Sequence, residues 1–336
     1  MNERELITFI AGLSPSGHNQ DLLLAIGDDC AVVRKTREQV LLYSTDTLIE
    51  KVHFDLAWHP PYLLGRKAVS VNVSDVAAMG GQPRYLLFSL GLPKGFDEDW
   101  ARELVRGVIN ACDEYGCTLV GGDTVASPAG ITLGLTVVGE MLEQEVIYRS
   151  GAREGDMVLV SGPLGSAAAG LALYRQGYGN DERFARLCQA HLNPSARVNL
   201  GKMLAASGLV HAMMDLSDGL ATDLGHVCRA GRLSAILFRD QLPAVPVLSD
   251  AAQLLDVDPV QWMIGGGEDY ELLVTVAPSA TKKLQEKVAG SGYVLYPVGR
   301  MIAGDKGTIR LAPSEGAGQA SAIEVEFSGY DHFNEG

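Results

Sequence analysis

The hydrophobic pattern of the chain alternates between short apolar runs, typical of strands, and longer segments with apolar residues every three or four positions, typical of helices. The clearest helices are predicted over residues 62–79 and 98–115, the second ending at Gly116. A shorter amphipathic helix is predicted near the start, and strands and helices are mixed in both halves, which indicates a layered globular fold of the α/β (α+β) class. The shorter helix spans residues 5–13, and the predicted strands are 22–26, 31–33, 40–47, 84–92, 117–120 (stopping at Gly121), 131–140, 157–161 and 272–276.

One junction in this pattern carries unusual polar residues. An apolar run at 209–213 leads into Asp215, Ser217 and Asp218, and Gly219 permits a tight turn into a helix. A helix cap needs one side-chain oxygen, and Ser or Asp would supply it. Three acidic or hydroxyl side chains within four residues exceed that need. The surplus indicates a metal site as the alternative to simple capping.

The length of 336 residues predicts about two domains. Hydrophobic residues make up 47% of the chain and charged residues 20%, as expected for a packed globular protein. The polar, glycine-containing segment 148–156 marks the predicted boundary. We therefore expect an N-terminal domain over 1–148 and a C-terminal domain over 149–336.

The charge and cysteine content narrow the class of protein. The formal net charge is -14 and no basic stripe is present, so nucleic acid is not an expected partner. No apolar stretch is long enough for a bilayer, and the acidic start does not resemble a signal peptide. The five cysteines include no C-x-x-C pair, which predicts reduced thiols in a cytoplasmic protein and neither disulfides nor a zinc site.

Acidic residues recur at turns beside the predicted strands. Each alone is an ordinary turn former. If several converge, two carboxylates about 6 Å apart repel by roughly 3 kcal/mol at an effective dielectric near 20, so the cluster needs cations or protons. Oxygen ligands favour Mg²⁺, which commonly binds nucleotide phosphates, and this indicates phosphoryl transfer. The acids are Asp28, Asp29, Asp46, Asp75, Asp123, Asp215 and Asp218.

The familiar nucleotide-binding signatures are absent. Residues 162–166 (Gly-Pro-Leu-Gly-Ser) lack the spacing of a Walker loop or of a dinucleotide fingerprint. We interpret this segment as a strand–turn–helix packed through small residues. An ATP site in this protein would therefore be of another type.

Seven short motifs in a fixed order identify a resemblance. Together they are similar to the thiamine-monophosphate kinase family, of the aminoimidazole-ribonucleotide-synthetase-like (PurM-type) superfamily, over residues 27–333, nearly the whole chain. Each motif alone is weak, whereas the ordered set is specific. The motifs are Gly-Asp-Asp-Cys-Ala at 27–31, Ser-Thr-Asp-Thr at 44–47, Val-Asn-Val-Ser-Asp at 71–75, Gly-Gly-Asp-Thr at 121–124, Asp-Leu-Ser-Asp-Gly-Leu at 215–220, Gly-Gly-Glu-Asp-Tyr-Glu-Leu at 266–272 and Gly-Tyr-Asp-His-Phe at 329–333.

The resemblance implies a reaction and a fold. ATP and thiamine monophosphate would give thiamine diphosphate and ADP, on a two-domain PurM-like fold. The N-terminal sheet would pair across a homodimer to form a barrel, with ATP beside that interface and Mg²⁺ bound by acids. The implied metal ligands are Asp29, Ser44, Thr45, Asp46, Asp75, Asp123, Asp215 and Asp218; the implied nucleotide contacts are Gly122, Asp123, Arg149 and Ser217; the implied substrate contacts are His53, Glu268 and Phe327.

The chain departs from the family pattern at two of these positions. Phe327 stands where Trp is more common, and stacking on a thiamine ring would survive that change. Residues 50–52 ahead of His53 are larger than usual. His53 has a structural histidine as its alternative reading, and Glu268 with Asp269 would alternatively cap a strand entry.

The acceptor determines the expected mechanism. A phosphate monoester is largely dianionic at neutral pH, so no general base is expected and no residue is assigned that role. The bound metal ions and Arg149 would offset the repulsion between two polyanions during direct in-line transfer.

Two other classes remain open from the residues. One is another ATP-using enzyme of the superfamily, such as selenophosphate synthetase; the reactive Cys and Lys expected there are missing, and Cys30 lies beside Asp29. The other is a non-catalytic protein that binds Mg²⁺ and a phosphorylated ligand.

Overall fold

Two mixed β-sheets, one in each half of the chain, organise the structure. The computed structural model describes residues 2–13, 19–304, 307–317 and 321–325. The first sheet has the strand order β1-β2-β3-β6-β4-β5 and is antiparallel except for β4 and β5. Its half contains α1 (Glu3–Leu13), β1 (Leu22–Leu24), β2 (Ala31–Arg34), β3 (Gln39–Ile49), α2 (Pro61–Ala78), β4 (Gln82–Pro93), α3 (Glu98–Tyr115), β5 (Thr118–Ser127) and β6 (Thr132–Leu142).

The second sheet has the order β13-β12-β9-β11-β7-β10-β8, with one parallel pair, β12 and β9. The predominance of antiparallel pairs in both sheets places the fold in the α+β class. Its half contains β7 (Met157–Val160), α4 (Ser166–Arg175), α5 (Ala185–Leu192), α6 (Val198–Ala205), β8 (Val210–Asp215), α7 (Leu220–Gly231), β9 (Leu233–Phe238), α8 (Val247–Leu255), α9 (Pro259–Gly265), β10 (Leu272–Val276), α10 (Pro278–Ala289), β11 (Tyr296–Ala303), β12 (Ile309–Ala312) and β13 (Ile323–Glu324).

The first sheet buries only one of its two faces. In β3, Val40 and Leu42 are fully buried because they alternate toward the helices of the same half. On the opposite face Tyr43, Tyr85 and Leu87 remain exposed, although they are large and apolar. An uncovered apolar sheet face of this kind indicates an interaction surface.

Helix α2 lies between the two halves. It begins with a proline at its first position, which suits a helix start. Its side chains are buried on almost every side, since it packs against β3, β6 and α3 of its own half and against α6 and β8 of the other. Polar residues on α2 can therefore contact either half, a fact on which the candidate site depends.

The crossing of α2 and α3 requires two glycines. An added Cβ at Gly65 would lie 2.1 Å from the carbonyl oxygen of Leu104, and one at Gly107 would lie 2.0 Å from that of Tyr62. Because these obstacles are backbone atoms, they cannot rotate away. The two helices consequently approach more closely than side chains would allow.

Gly107→Ala is expected to lower the free energy of unfolding by about 1–3 kcal/mol, the usual cost of overpacking. Chemical denaturation with a spectroscopic readout measures this change. Gly290→Ala is the matched control, because the nearest heavy atom to its added Cβ lies 3.8 Å away. Equal midpoints for the two variants would contradict the proposed close crossing.

The predicted end of one strand is wrong. A strand was expected to stop at Gly121, whereas β5 continues to Ser127. It pairs in parallel with β4, with Gly122 opposite Phe88. An added Cβ at Gly122 would lie 1.8 Å from the Phe88 carbonyl oxygen, so glycine serves close strand approach here and not termination.

The structure also bears on the predictions about the cysteines and about membrane-spanning segments. All five cysteines are buried free thiols, as predicted. Among the described helices, none combines the length and the apolarity needed to cross a bilayer.

Candidate active site

The junction between β8 and α7 has the predicted sharp turn. Gly219 adopts φ 107°, and an added Cβ would lie 2.9 Å from backbone atoms of residues 265–266. Glycine is therefore required both for its conformation and for the close approach of this neighbouring loop.

The capping role predicted for Ser217 or Asp218 belongs instead to Asp223. Its carboxylate accepts the backbone N–H groups of Asp218 at 3.1 Å and Gly219 at 3.0 Å, while the Gly219 N-cap position supplies no side-chain bond. Asp223 is fully buried, and its second oxygen has no hydrogen-bond partner. Ser217 and Asp218 instead line a cavity.

Carboxylates from both halves of the chain gather at this junction. Asp75 on α2 accepts a hydrogen bond from the Ser44 hydroxyl, and Asp215 at the end of β8 accepts one from the Ser74 hydroxyl at 2.6 Å. Burial raises the pKa of Asp75 well above its usual range, and the charges of Asp46, Asp215 and Asp29 raise it further. Burial also raises the pKa of Asp215 to about 6. The acids are thus close enough to disfavour one another's ionisation.

Arg149 partly neutralises this cluster. Its guanidinium contacts Asp29 at 2.6 Å and Asp28 at 3.2 Å, and its backbone N–H donates to Asp28 at 3.1 Å. Burial nevertheless raises the pKa of Asp29, because the single cation does not offset desolvation and the other acids. One oxygen of Asp29 is buried with no hydrogen-bond partner.

The cluster fits a hard divalent cation. No three His, Cys, Asp or Glu residues in the described ranges form a ready ligand set by themselves. The donors are nonetheless carboxylate and hydroxyl oxygens, which suit Mg²⁺, and one buried oxygen of Asp29 has no hydrogen-bond partner. Mg²⁺ usually takes only some of its ligands from protein and others from phosphates and water.

A cavity of about 1200 Å³ extends from these acids to an aromatic wall. Trp58, one of the wall residues, stacks on Tyr174 with ring centroids 5.8 Å apart. The cavity therefore offers oxygen ligands at one end and flat apolar surfaces at the other. Its lining includes the acidic and hydroxyl residues Asp46, Asp75, Asp215, Ser217 and Asp218, and also His53, Phe54, Trp58, Tyr178, Trp262 and Glu268.

Glu268 projects into this cavity from a strained backbone position. Its φ is 68°, and its N–H donates to the Ser217 carbonyl at 2.8 Å. Its two carboxylate oxygens contact Lys67 at 2.6 Å and His191 at 2.9 Å. Burial alone would raise the pKa of Glu268, but Lys67 and His191 outweigh it and bring the pKa to about 2.

Sequence reasoning missed Lys67 and His191. A signal for Lys67 existed, because it falls in phase with Leu64 and Val71 on the apolar pattern of its helix, where a charge needs a buried partner. His191 carries no comparable signal.

Asp269 explains the glycine-rich segment that resembles a phosphate loop. Its carboxylate accepts the N–H groups of Gly165 at 2.6 Å and Ala167 at 3.3 Å, and thus occupies the start of α4. The interpretation of residues 162–166 as strand–turn–helix packing is confirmed. Of the pair Glu268 and Asp269, the second caps a helix and the first faces the cavity.

Two predicted site residues lie apart from the acidic cluster within this chain. Asp123 is exposed on β5 and, through the ladder, shares a row and a face with Thr47. Asp46 is the neighbour of Thr47 on β3 and points to the opposite face. Gly122, on the same edge strand, is exposed as well.

Three further residues that were predicted to bind metal or substrate lie in different places. The Thr45 hydroxyl donates to the Leu135 carbonyl at 2.8 Å on the exposed sheet face. His53 lines the cavity, and its Nδ1 accepts the Ile49 N–H at 3.0 Å. Phe327 lies outside the described residues.

Comparisons with known proteins agree with this architecture. The family model of the AIR synthase related protein N-terminal domain matches residues 27–141, and that of the C-terminal domain matches residues 153–312. The thiamine-monophosphate kinase of Haemophilus influenzae is 35% identical over 319 residues (93% of this chain and 92% of the relative). That of Escherichia coli K12 is 36% identical over 318 residues, with 93% of each chain covered.

A solved structure extends the likeness to three dimensions. AaThiL complexed with AMPPCP and TMP superposes with a TM-score of 0.84 and 32% identity, over 99% of this chain and 97% of that one. The expected two-domain PurM-like fold is confirmed. The chain belongs to the AIR synthase related family and, within it, to the thiamine-monophosphate kinases.

Proposed function

We propose that this protein transfers the γ-phosphoryl group of ATP to thiamine monophosphate, giving thiamine diphosphate and ADP. One observation carries the proposal: a single cavity joins carboxylates from both halves of the chain to an aromatic wall that contains a partly exposed, ionised glutamate, Glu268. Phosphates suit the first end and a heteroaromatic cation suits the second. Relatives named thiamine-monophosphate kinase and a neighbour bound to AMPPCP and TMP support the same pair of substrates.

Mg²⁺ is the cofactor that this proposal requires. Asp29, Asp46, Asp75, Asp215 and Asp218 would hold it, with Ser44 beside them. When bound, it neutralises phosphate charge and so allows two polyanions to approach. Thr45 and Asp123 remain predicted ligands from the resemblance alone.

The protein groups position the reactants and supply no base. The acceptor phosphate is already largely dianionic at neutral pH. His53 accepts a backbone N–H through Nδ1, an arrangement that orients its ring and does not require a proton-transfer role. Direct in-line attack needs no covalent enzyme intermediate.

The nucleotide contacts are proposed at Gly122, Asp123, Arg149 and Ser217. Ser217 lines the cavity, and Arg149 already lies against the acidic cluster. Gly122 and Asp123 lie on the exposed edge strand of the first sheet, where a second subunit would approach. A second subunit that packs on the uncovered face of the first sheet would complete a barrel and place its own residues beside Gly122 and Asp123. We therefore propose a homodimer.

The setting of the protein is proposed as cytoplasmic, without nucleic acid or membrane partners. Five free buried thiols and the net charge of -14 support this view. We also propose that the boundary between the two domains lies between residues 148 and 149.

An ADP-release assay across phosphate acceptors tests the function. We expect ADP release that depends on thiamine monophosphate and Mg²⁺ together, with much slower release for thiamine or for other phosphate monoesters. Thiamine monophosphate binding without turnover would identify a non-catalytic binding protein. Exchange of label between ADP and ATP without acceptor would contradict direct transfer.

A further inference from the structure

Glu268 in the aromatic wall forms an ion pair with a buried lysine, Lys67, to which the proposed reaction assigns no role. Lys67, on α2 of the N-terminal half, is 1% exposed, while its partner Glu268, on a loop of the C-terminal half, is 26% exposed. The carboxylate is therefore much more accessible than the amine, although both residues line the cavity.

The charge balance around Glu268 depends on Lys67. Burial lowers the pKa of His59 to about 3 and also lowers the pKa of His191, so both rings are uncharged at neutral pH. The neutral His191 donates through Nδ1 to one carboxylate oxygen, and the Lys67 amine lies 2.6 Å from the other. Removing one member of such a buried pair leaves the other charge uncompensated.

The geometry of Glu268 is fixed from both halves at once. Lys67 approaches from α2, His191 approaches from α5, and the Ser217 carbonyl accepts the backbone N–H of Glu268. Helix α2 also carries Asp75, eight residues after Lys67, which corresponds to about 12 Å along a helix axis. One rigid helix thus sets the spacing between the carboxylate at the aromatic end and the acids at the phosphate end.

We propose that Lys67 is a positioning residue for acceptor recognition: it orients Glu268, through direct ion pairing, toward the N–H donors and positive charge of the acceptor's heteroaromatic rings. Lys67 itself contacts neither the rings nor the phosphates. This inference rests on the proposed function, because it assigns a role within the same cavity.

Four variants test this proposal: Lys67→Met, Glu268→Gln, the double variant and, as a matched control, Lys202→Met. Lys202 is exposed and bonds Gln82 of the other half at 2.7 Å, so it shares the interdomain setting without facing the cavity. The measurements are calorimetric binding of thiamine monophosphate, KM for each substrate, kcat and the thermal midpoint.

We expect Lys67→Met to weaken thiamine monophosphate binding about 10- to 100-fold, the range usual for residues that orient a binding group, and to leave the KM for ATP within about twofold. Lys202→Met should change neither constant. The double variant should regain the thermal midpoint lost in Lys67→Met, since both charges are gone, but its acceptor affinity should match that of Glu268→Gln.

Several outcomes would overturn the proposal. Unchanged acceptor affinity in Lys67→Met is one, and affinity restored together with stability in the double variant is another, because it would indicate a structural role only. If Lys67→Met does not fold, a further loss of affinity in the double variant relative to Glu268→Gln would show that Lys67 acts directly. A parent protein that turns over nothing yet binds thiamine monophosphate refutes the proposed activity alone; one that does neither refutes both.

Discussion

Asp46→Asn is expected to lower kcat about 10²–10³-fold, the usual effect of deleting one preorganised electrostatic group at a reacting phosphate or oxyanion. The same substitution is expected to stabilise the metal-free protein, because Asp46 is one of the charges that raise the pKa values of Asp75 and Asp215. Steady-state kinetics at saturating Mg²⁺ and thermal unfolding in a chelator measure the two effects. Opposite signs are the signature of a carboxylate kept for function at the expense of stability.

The control for this prediction is Asp250→Asn, at an exposed position on α8. It should change neither quantity. Full activity of Asp46→Asn at saturating Mg²⁺ would remove the main support for a metal-binding cluster. Loss of both activity and stability would indicate a structural carboxylate instead.

Removing divalent ions is expected to make stability fall as pH rises from about 4 to about 6. The pKa of Asp215 is raised from 3.8 to about 6, so the folded protein holds a proton in this range that the unfolded chain has already released. Folding then takes up a proton, and the metal-free protein loses about 2 kcal/mol of stability between pH 4 and pH 6. Glu268, whose pKa is lowered to about 2, has the opposite sign, but its window lies below 4.5.

Denaturant unfolding in a chelator at pH 5 and pH 8, repeated with Mg²⁺, measures this dependence. Mg²⁺ should restore stability most strongly at pH 8, since it binds the folded state and replaces the missing protons. The prediction would be contradicted if the metal-free protein became more stable toward pH 8, or if Mg²⁺ did not change its free energy of unfolding.

The sequence was informative where a local pattern decides the structure. The strand–turn–helix at Asp215 and Gly219 was predictable because a turn glycine and its flanking apolar runs lie within one short segment. The capping role of Asp223 was not, since a carboxylate in the first turn and one before it are equally suitable caps in sequence. The glycine pair at 121–122 also misled, because Gly122 serves the close pairing of β5 with β4 and does not end the strand.

Contacts between residues that are far apart in the sequence could not be predicted. The contact between Lys67 and Glu268 joins residues from the two halves, and no local periodicity specifies it. Asp123 carries the same motif signal as Asp75, yet it faces the uncovered side of the sheet, because alternation along a strand depends on register. Contacts with a second subunit cannot be predicted from the periodicity of one chain.

Helix α2 restricts how reactants can enter. Ala78 of this helix is buried in one cluster with Leu200 and Leu204 of the other half, and the buried Ser74 hydroxyl donates to Asp215 at 2.6 Å. Swinging the halves apart would break this hydrogen bond and expose the apolar surface that α2 shares with the C-terminal half. A wide separation of the two halves is therefore unfavourable. We expect ATP to enter and ADP to leave past the loops that rim the cavity.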